Sequence, residues 1–103
     1  MRAKDNDLFS GMIRLHILHH ASEEPIFGLG IIEELERHGY RLSAGTLYPM
    51  LHGMERKGYL VSEKQHVAGR IRRVYSITRD GAAALKDAKQ KVSELFGELF
   101  EKD

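Results

Sequence analysis

The chain has 103 residues, 42% of them hydrophobic and 30% charged, with a formal net charge of +1. That length suits one compact domain and is short for two, and the composition excludes a disordered chain. No apolar run approaches the roughly 18 residues of a membrane-spanning helix, and the lack of cysteine excludes disulfides, thiol nucleophiles and thiolate zinc sites.

The apolar stretch 8–21 is interrupted by Arg14 and three histidines, and no small-residue cleavage site follows it. It therefore reads as a core helix rather than a secretory leader, and a cytoplasmic location is expected. This first helix is expected from about Asp7 to about His20, capped by Asn6 or Asp7. Leu8, Met12 and Leu15 form one apolar row, and Phe9, Ile13 and Ile17 form the adjacent one. Ala21 to Pro25 reads as a loop, because proline disfavours helix in the residue before it. A second helix follows from Phe27 or Gly28 to His38, with Phe27, Ile31 and Leu35 on one face and Ile32 beside them. Gly39 ends it as a left-handed cap.

Tyr40 to Leu42 is a loop short enough to hold the next helix at a fixed angle. Ser43 or Thr46 caps that third helix, which ends before Gly58 and buries Leu47, Met50, Leu51 and Met54. Pro49 keeps the boundary open: with Thr46 as cap it falls in the first turn, where its missing N–H costs nothing. With Ser43 as cap it opposes the carbonyl four residues earlier. Residues 59–66 read as a strand, Val67 to Gly69 as a turn, and Arg70 to Ile77 as the returning strand. Ile71, Tyr75 and Ile77 share a face that Arg73 interrupts, and such a hairpin needs helices to pack on. Thr78 is placed to cap a last helix reaching about Glu101, about 33 Å long at 1.5 Å per residue. Its apolar row is Leu85, Ala88, Val92, Leu95 or Phe96, and Leu99, with Phe100 adjacent. The fold class expected is mainly α with a β-hairpin, without repeats or low-complexity segments.

Charge is uneven along this order. Between Lys64 and Arg79 lie five basic residues and no acidic one, while the rest of the chain carries 11 basic against 15 acidic residues. A local cationic strip on a near-neutral protein is what a phosphate-binding element requires. Three helices with a tight second turn, followed by an arginine-rich hairpin, give the winged helix-turn-helix order. With Leu47 at the centre of the buried side, Gly45, Pro49, His52 and Arg56 face outward and Thr46 and Tyr48 lie on the flanks. Gly45, Pro49 and Gly53 are compact, so DNA can approach the backbone there. The Thr46 and Tyr48 hydroxyls can bond phosphate, and Arg56 adds charge. Arg70, beside Gly69 at the hairpin tip, suits a narrow minor groove. Arg72 and Arg73 then grip flanking phosphates, which makes binding salt-dependent.

The run Leu42-Ser-Ala-Gly-Thr-Leu-Tyr-Pro-Met-Leu-His-Gly-Met-Glu-Arg-Lys-Gly58 resembles the signature of PadR-type transcriptional regulators. Gly69-Arg-Ile-Arg-Arg-Val-Tyr-Ser-Ile-Thr-Arg-Asp-Gly81 resembles their wing and the entry to their last helix, and Pro25 to Ile32 resembles the start of their second helix. The resemblance implies a homodimer that binds an inverted-repeat operator in double-stranded DNA and usually represses. It also implies that Ser43, Thr46, Tyr48 and the wing arginines contact DNA. Leu29 and Gly30 depart from the tyrosine and polar residue common there, and His52-Gly53 replaces a commonly basic pair. A single C-terminal helix matches the shorter branch of the family. Residues 1–78 are thus expected to form a winged-helix DNA-binding domain and residues 79–103 a dimerisation helix of the same compact unit.

Dimerisation has a physical argument of its own. The last helix outreaches the body it grows from, so Leu85, Val92, Leu95, Phe96 and Leu99 form a stripe that a second copy can cover, at roughly 25 cal/mol per Å². The alternative is that the stripe folds back on its own domain.

Other signals carry less. His16, His19 and His20 have helical spacing suited to a metal, but they lie in the apolar arc and no cysteine or acidic partner adjoins them, so packed histidines are expected and no metal or cofactor is assigned. Gly28-Leu-Gly30 lacks the spacing and preceding strand of a phosphate loop. No catalytic triplet is arguable, and an enzyme is not expected. An interaction module that has lost DNA binding is the other alternative, and the acid-free arginine strip argues against it. The resemblance also implies an unidentified small-molecule effector near the dimer contact. Relatives that stack aromatic compounds use tryptophan, which is absent here; Val92 stands near that position. Phe96 and Phe100 either line an apolar cavity or, the preferred reading, form coiled-coil-like core.

Overall fold

The computed structural model describes residues 3–101. Helix α1 (Ala3–Glu23) runs further at both ends than its apolar rows indicate. Asn6 and Asp7 lie inside it, so neither is its cap. Ala21 is buried in the core, which draws the helix past His20, and the restriction imposed by Pro25 reaches back only to Glu24. Ile13, Ile17 and Leu18 are buried, whereas Leu8 and Met12 of the other row remain 75% and 53% exposed.

The expected loop before α2 (Gly28–Arg37) instead contains a two-residue strand, β1 (Ile26–Phe27). It pairs antiparallel with β3 (Arg70–Ile77), Ile26 opposite Tyr75 and Phe27 opposite Val74. Two residues carry no readable alternation, so nothing in the sequence marks this strand. It stitches the start of α2 to the hairpin.

α3 (Ala44–Arg56) begins at Ser43, whose Oγ accepts from the Thr46 N–H at 3.2 Å. That decides the cap in favour of Ser43 over Thr46. Pro49 is therefore inside the helix, and the Gly45 carbonyl loses its intrahelical donor at an exposed residue, open to solvent. Both α2 and α3 close with Schellman turns. The Tyr40 N–H reaches the Leu35 carbonyl at 3.0 Å after Gly39, and the Tyr59 N–H reaches that of Met54 at 2.9 Å after Gly58.

β2 (Leu60–Val67) and β3 pair in register from Leu60 opposite Ile77 to Val67 opposite Arg70, giving the sheet order β1-β3-β2. The turn is Ala68-Gly69, one residue shorter than expected, and both φ angles are positive (50° and 78°), as a two-residue type I′ turn requires. One continuous core joins Ile13, Ile17, Ile31, Leu35, Leu47, Leu51, Leu60 and Tyr75.

α4 (Arg79–Phe100) starts where Thr78 accepts from the Gly81 N–H at 3.0 Å and donates to the Gly58 carbonyl. A Cβ on Gly81 would overlap the Tyr59 carbonyl, so the helix leaves the sheet at a place only glycine allows. This accounts for the Tyr75, Thr78 and Gly81 spacing as core anchor, cap and close approach. No described helix is long and apolar enough to cross a membrane.

Candidate nucleic-acid interface

The amphipathic pattern of α3 fixes what it shows to solvent. Leu47, Leu51 and Met54 are buried, and Met50 packs partly against the core. Ser43, Thr46, Tyr48, Pro49, His52 and Arg56 are all exposed, as are Arg70, Arg72 and Arg73 on the hairpin. Ser43 Oγ also donates to the Thr46 hydroxyl at 3.3 Å, so the two hydroxyls work first as a helix start. A donor group at a helix N-terminus is also a natural phosphate contact.

The helix and the wing meet in one cleft of about 500 Å³, lined by Tyr48 from α3, Phe27 to Leu29 from the start of α2, and Arg70 to Arg73 from β3. Tyr48 lies directly over Gly28, where any Cβ would overlap its ring and hydroxyl. Its ring also approaches His52, the centroids 6.2 Å apart. Half-buried Phe27 thus lines the cleft, although its helical spacing pointed only to packing, and buried Gly28 makes room for Tyr48. The contact between positions 28 and 48 joins two helices and leaves no trace in either one's periodicity.

The three wing arginines are not equivalent. Arg72 stacks its guanidinium 3.8 Å from the Phe27 ring centroid, which preorganises it over the cleft. Arg73 donates to Ser62 Oγ at 3.0 Å, and Ser62 in turn donates through its N–H and hydroxyl to Glu55 at 3.2 and 2.8 Å. The Arg70 side chain, at the tip, has no ion-pair or hydrogen-bond partner among the described residues. Gly53 does not share the outward face. It lies half-buried beside Arg14 and Leu18 of α1, so it offers no close approach to a ligand on the exposed side.

Away from this surface, the stripe of α4 divides. Leu85 is buried in the core, so this residue serves the chain's own fold. Val92, Leu95, Phe96 and Leu99 are 50–61% exposed and Phe100 is 71% exposed. Phe96 and Phe100 pack on each other at 5.0 Å between centroids rather than on the body. An open groove of about 340 Å³ between α1 and α4 is lined by Met12, Leu15, His16, His19, Leu85, Lys89 and Val92.

These features define a winged helix-turn-helix protein with a long C-terminal helix. Residues 17–87 match the PadR-like transcriptional regulator family, and the chain belongs to it. It is 52% identical over 88 residues to transcriptional regulator Rv3488 of Mycobacterium tuberculosis, a match covering 85% of this chain and 82% of that protein. Among solved structures it resembles a PadR-like transcriptional regulator from Bacillus cereus, with a TM-score of 0.79 at 26% identity over 94% of this chain and 99% of the other. A PadR-like transcription factor from Bacteroides fragilis shares the fold, with a TM-score of 0.79 at 24% identity over 95% and 96% of the two chains. The chain is a transcriptional regulator of this family.

Proposed function

We propose that the chain acts as a homodimeric repressor that binds an inverted-repeat operator in double-stranded DNA without catalysis. One observation carries this reading: Tyr48 of the exposed α3 face and Arg70 to Arg73 of the wing line the same cleft. A duplex lying along α3 therefore meets the hairpin without either element turning. Ser43, Thr46, Tyr48, Pro49, His52 and Arg56 form the surface for the major groove. Arg70 enters the neighbouring minor groove, and Arg72 and Arg73 hold phosphates beside it.

The second copy follows from α4. Val92, Leu95, Phe96, Leu99 and Phe100 expose an apolar stripe continuous with Met12 of α1 through the groove between the two helices. Burying that stripe against its symmetry mate spaces two α3 helices about one DNA turn, near 34 Å, apart. Such a protein works in the cytoplasm on its operator, and an unidentified small-molecule effector would act by changing the distance between the two α3 helices.

A gel-shift titration on DNA from upstream of the chain's own gene tests the reading. Wild-type protein is expected to give a discrete, salt-sensitive complex, and Tyr48→Ala to weaken it with the circular dichroism spectrum unchanged. Equal affinity of Tyr48→Ala would remove α3 as the reading element.

A further inference from the structure

The contact between α1 and the end of α2 is made of histidine. His16 and His20 lie one turn apart on α1, and His38 is the C-cap residue of α2, positioned by the Schellman turn at Gly39. Their rings gather at centroid distances of 4.6 Å for His16 and His38, 6.2 Å for His16 and His20, and 6.4 Å for His20 and His38. One nitrogen from each lies within 4.8 Å of the others. Glu23, one turn after His20, stands 3.8 Å from its Nδ1, and the fold brings a second carboxylate to the other nitrogen. Glu34 Oε2 stands 3.8 Å from His20 Nε2 and 3.4 Å from His38 Nε2, while its Oε1 is held by Arg37 at 2.7 Å.

Two details separate this cluster from ordinary packing. His20 Nε2 is buried and has no hydrogen-bond partner among the described residues, an unfavourable state for a polar atom. The carboxylate that faces it is too far for a hydrogen bond. Both facts fit a shared ion: with metal–N and metal–O bonds near 2.0–2.2 Å, tetrahedral ligands lie about 3.3–3.5 Å from one another. The observed spacings require only side-chain adjustment to close on one centre.

We infer that His16, His20 and His38, with the Glu34 carboxylate beside them, form a binding site for a divalent transition metal ion of the zinc class. Three imidazoles and a carboxylate favour zinc, copper or nickel over magnesium or calcium, and four such ligands make a common zinc set. The ion ties α1 to the end of α2, immediately before the short loop that leads to α3. Its binding does not require DNA.

Isothermal titration of untagged, chelator-treated protein with Zn²⁺ tests it. Wild type is expected to take up one ion per chain and to melt at a higher temperature when loaded, and Mg²⁺ to do neither. His38 is half-exposed, so His38→Ala retains the fold by circular dichroism; its Zn²⁺ affinity should fall by at least about 10-fold, and that of Glu34→Gln by about 10–100-fold. Co²⁺ should give the intense visible bands of a tetrahedral centre in wild type and lose them in His16→Ala. No uptake by wild type overturns the inference. So does uptake that survives His38→Ala and Glu34→Gln but is lost in His19→Ala, which would place the ion on the more exposed His19, His20 and Glu23 group.

Discussion

The α3–wing surface and the distal half of α4 are both exposed, yet they are built from opposite chemistry. On the first, hydroxyls, a proline and arginines face water at little cost, so the surface is stable alone and ready for a charged partner. On the second, Val92, Leu95, Phe96, Leu99 and Phe100 keep half or more of their area in water, a cost that falls only when something apolar covers them. The contrast teaches that the two faces answer to different partners. Salt should govern the first, and chain concentration the second.

The largest test of that separation removes the apolar partner while leaving the polar face intact. Leu95→Glu with Leu99→Glu places charges on one row of α4, at positions that are 56% and 61% exposed in the single chain. The expected product is a folded monomer by sedimentation, with operator affinity reduced by about 100-fold or more because the second half-site no longer benefits from linkage. A variant that still sediments as a dimer would move the contact elsewhere.

A smaller effect is expected within the wing, where the arginines differ in what already holds them. The Arg70 side chain has no partner among the described residues, so Arg70→Ala should lower operator affinity by about 10-fold. Its salt slope should fall by about one for each arginine charge withdrawn from the minor groove, where it displaces counterions, hence by about two in the dimer. Arg73 is anchored on Ser62. Arg73→Ala should therefore change the slope less and perturb the hairpin more. Identical slopes for the two variants would erase the distinction.

These positions also show where sequence reading reaches and where it stops. The buried stripe of α3, its exposed face, the hairpin strands and the Thr78 cap were legible because each depends on residues a few positions apart. Four features were not. β1 is two residues long and has no period. The stacking of Arg72 on Phe27 and the approach of Glu34 to His20 join elements distant in the chain. The first apolar row of α1 read as core because Leu8 and Met12 fit the helical period, and the period alone does not say whether the covering surface belongs to the same chain.

Gly97 probes the second face more finely. It lies within the distal α4, and a Cβ there meets nothing within 4 Å. On the monomeric Leu95→Glu, Leu99→Glu background, Gly97→Ala should stabilise the chain by about 0.5–1 kcal/mol through helix propensity alone. Absence of that gain in urea denaturation would mean that this part of α4 is not a free-standing helix in the monomer.

The smallest effect concerns the interior that separates the two faces. Tyr75 is fully enclosed in the core, and its hydroxyl finds no hydrogen-bond partner among the described residues. Tyr75→Phe removes a desolvated group without leaving a cavity, so stability should stay level or rise by up to about 1 kcal/mol. Burial also raises the pKa of the tyrosine above 10.0, with Glu55 and Tyr48 adding to the shift and Arg73 opposing it. The unfolded chain therefore loses this proton first, and wild-type stability falls as pH rises through the unfolded value. Tyr75→Phe lacks that loss, so its advantage over wild type should widen between about pH 8 and about pH 10.5. A loss of more than about 1 kcal/mol at the lower pH would show that the hydroxyl has a partner that holds the core together.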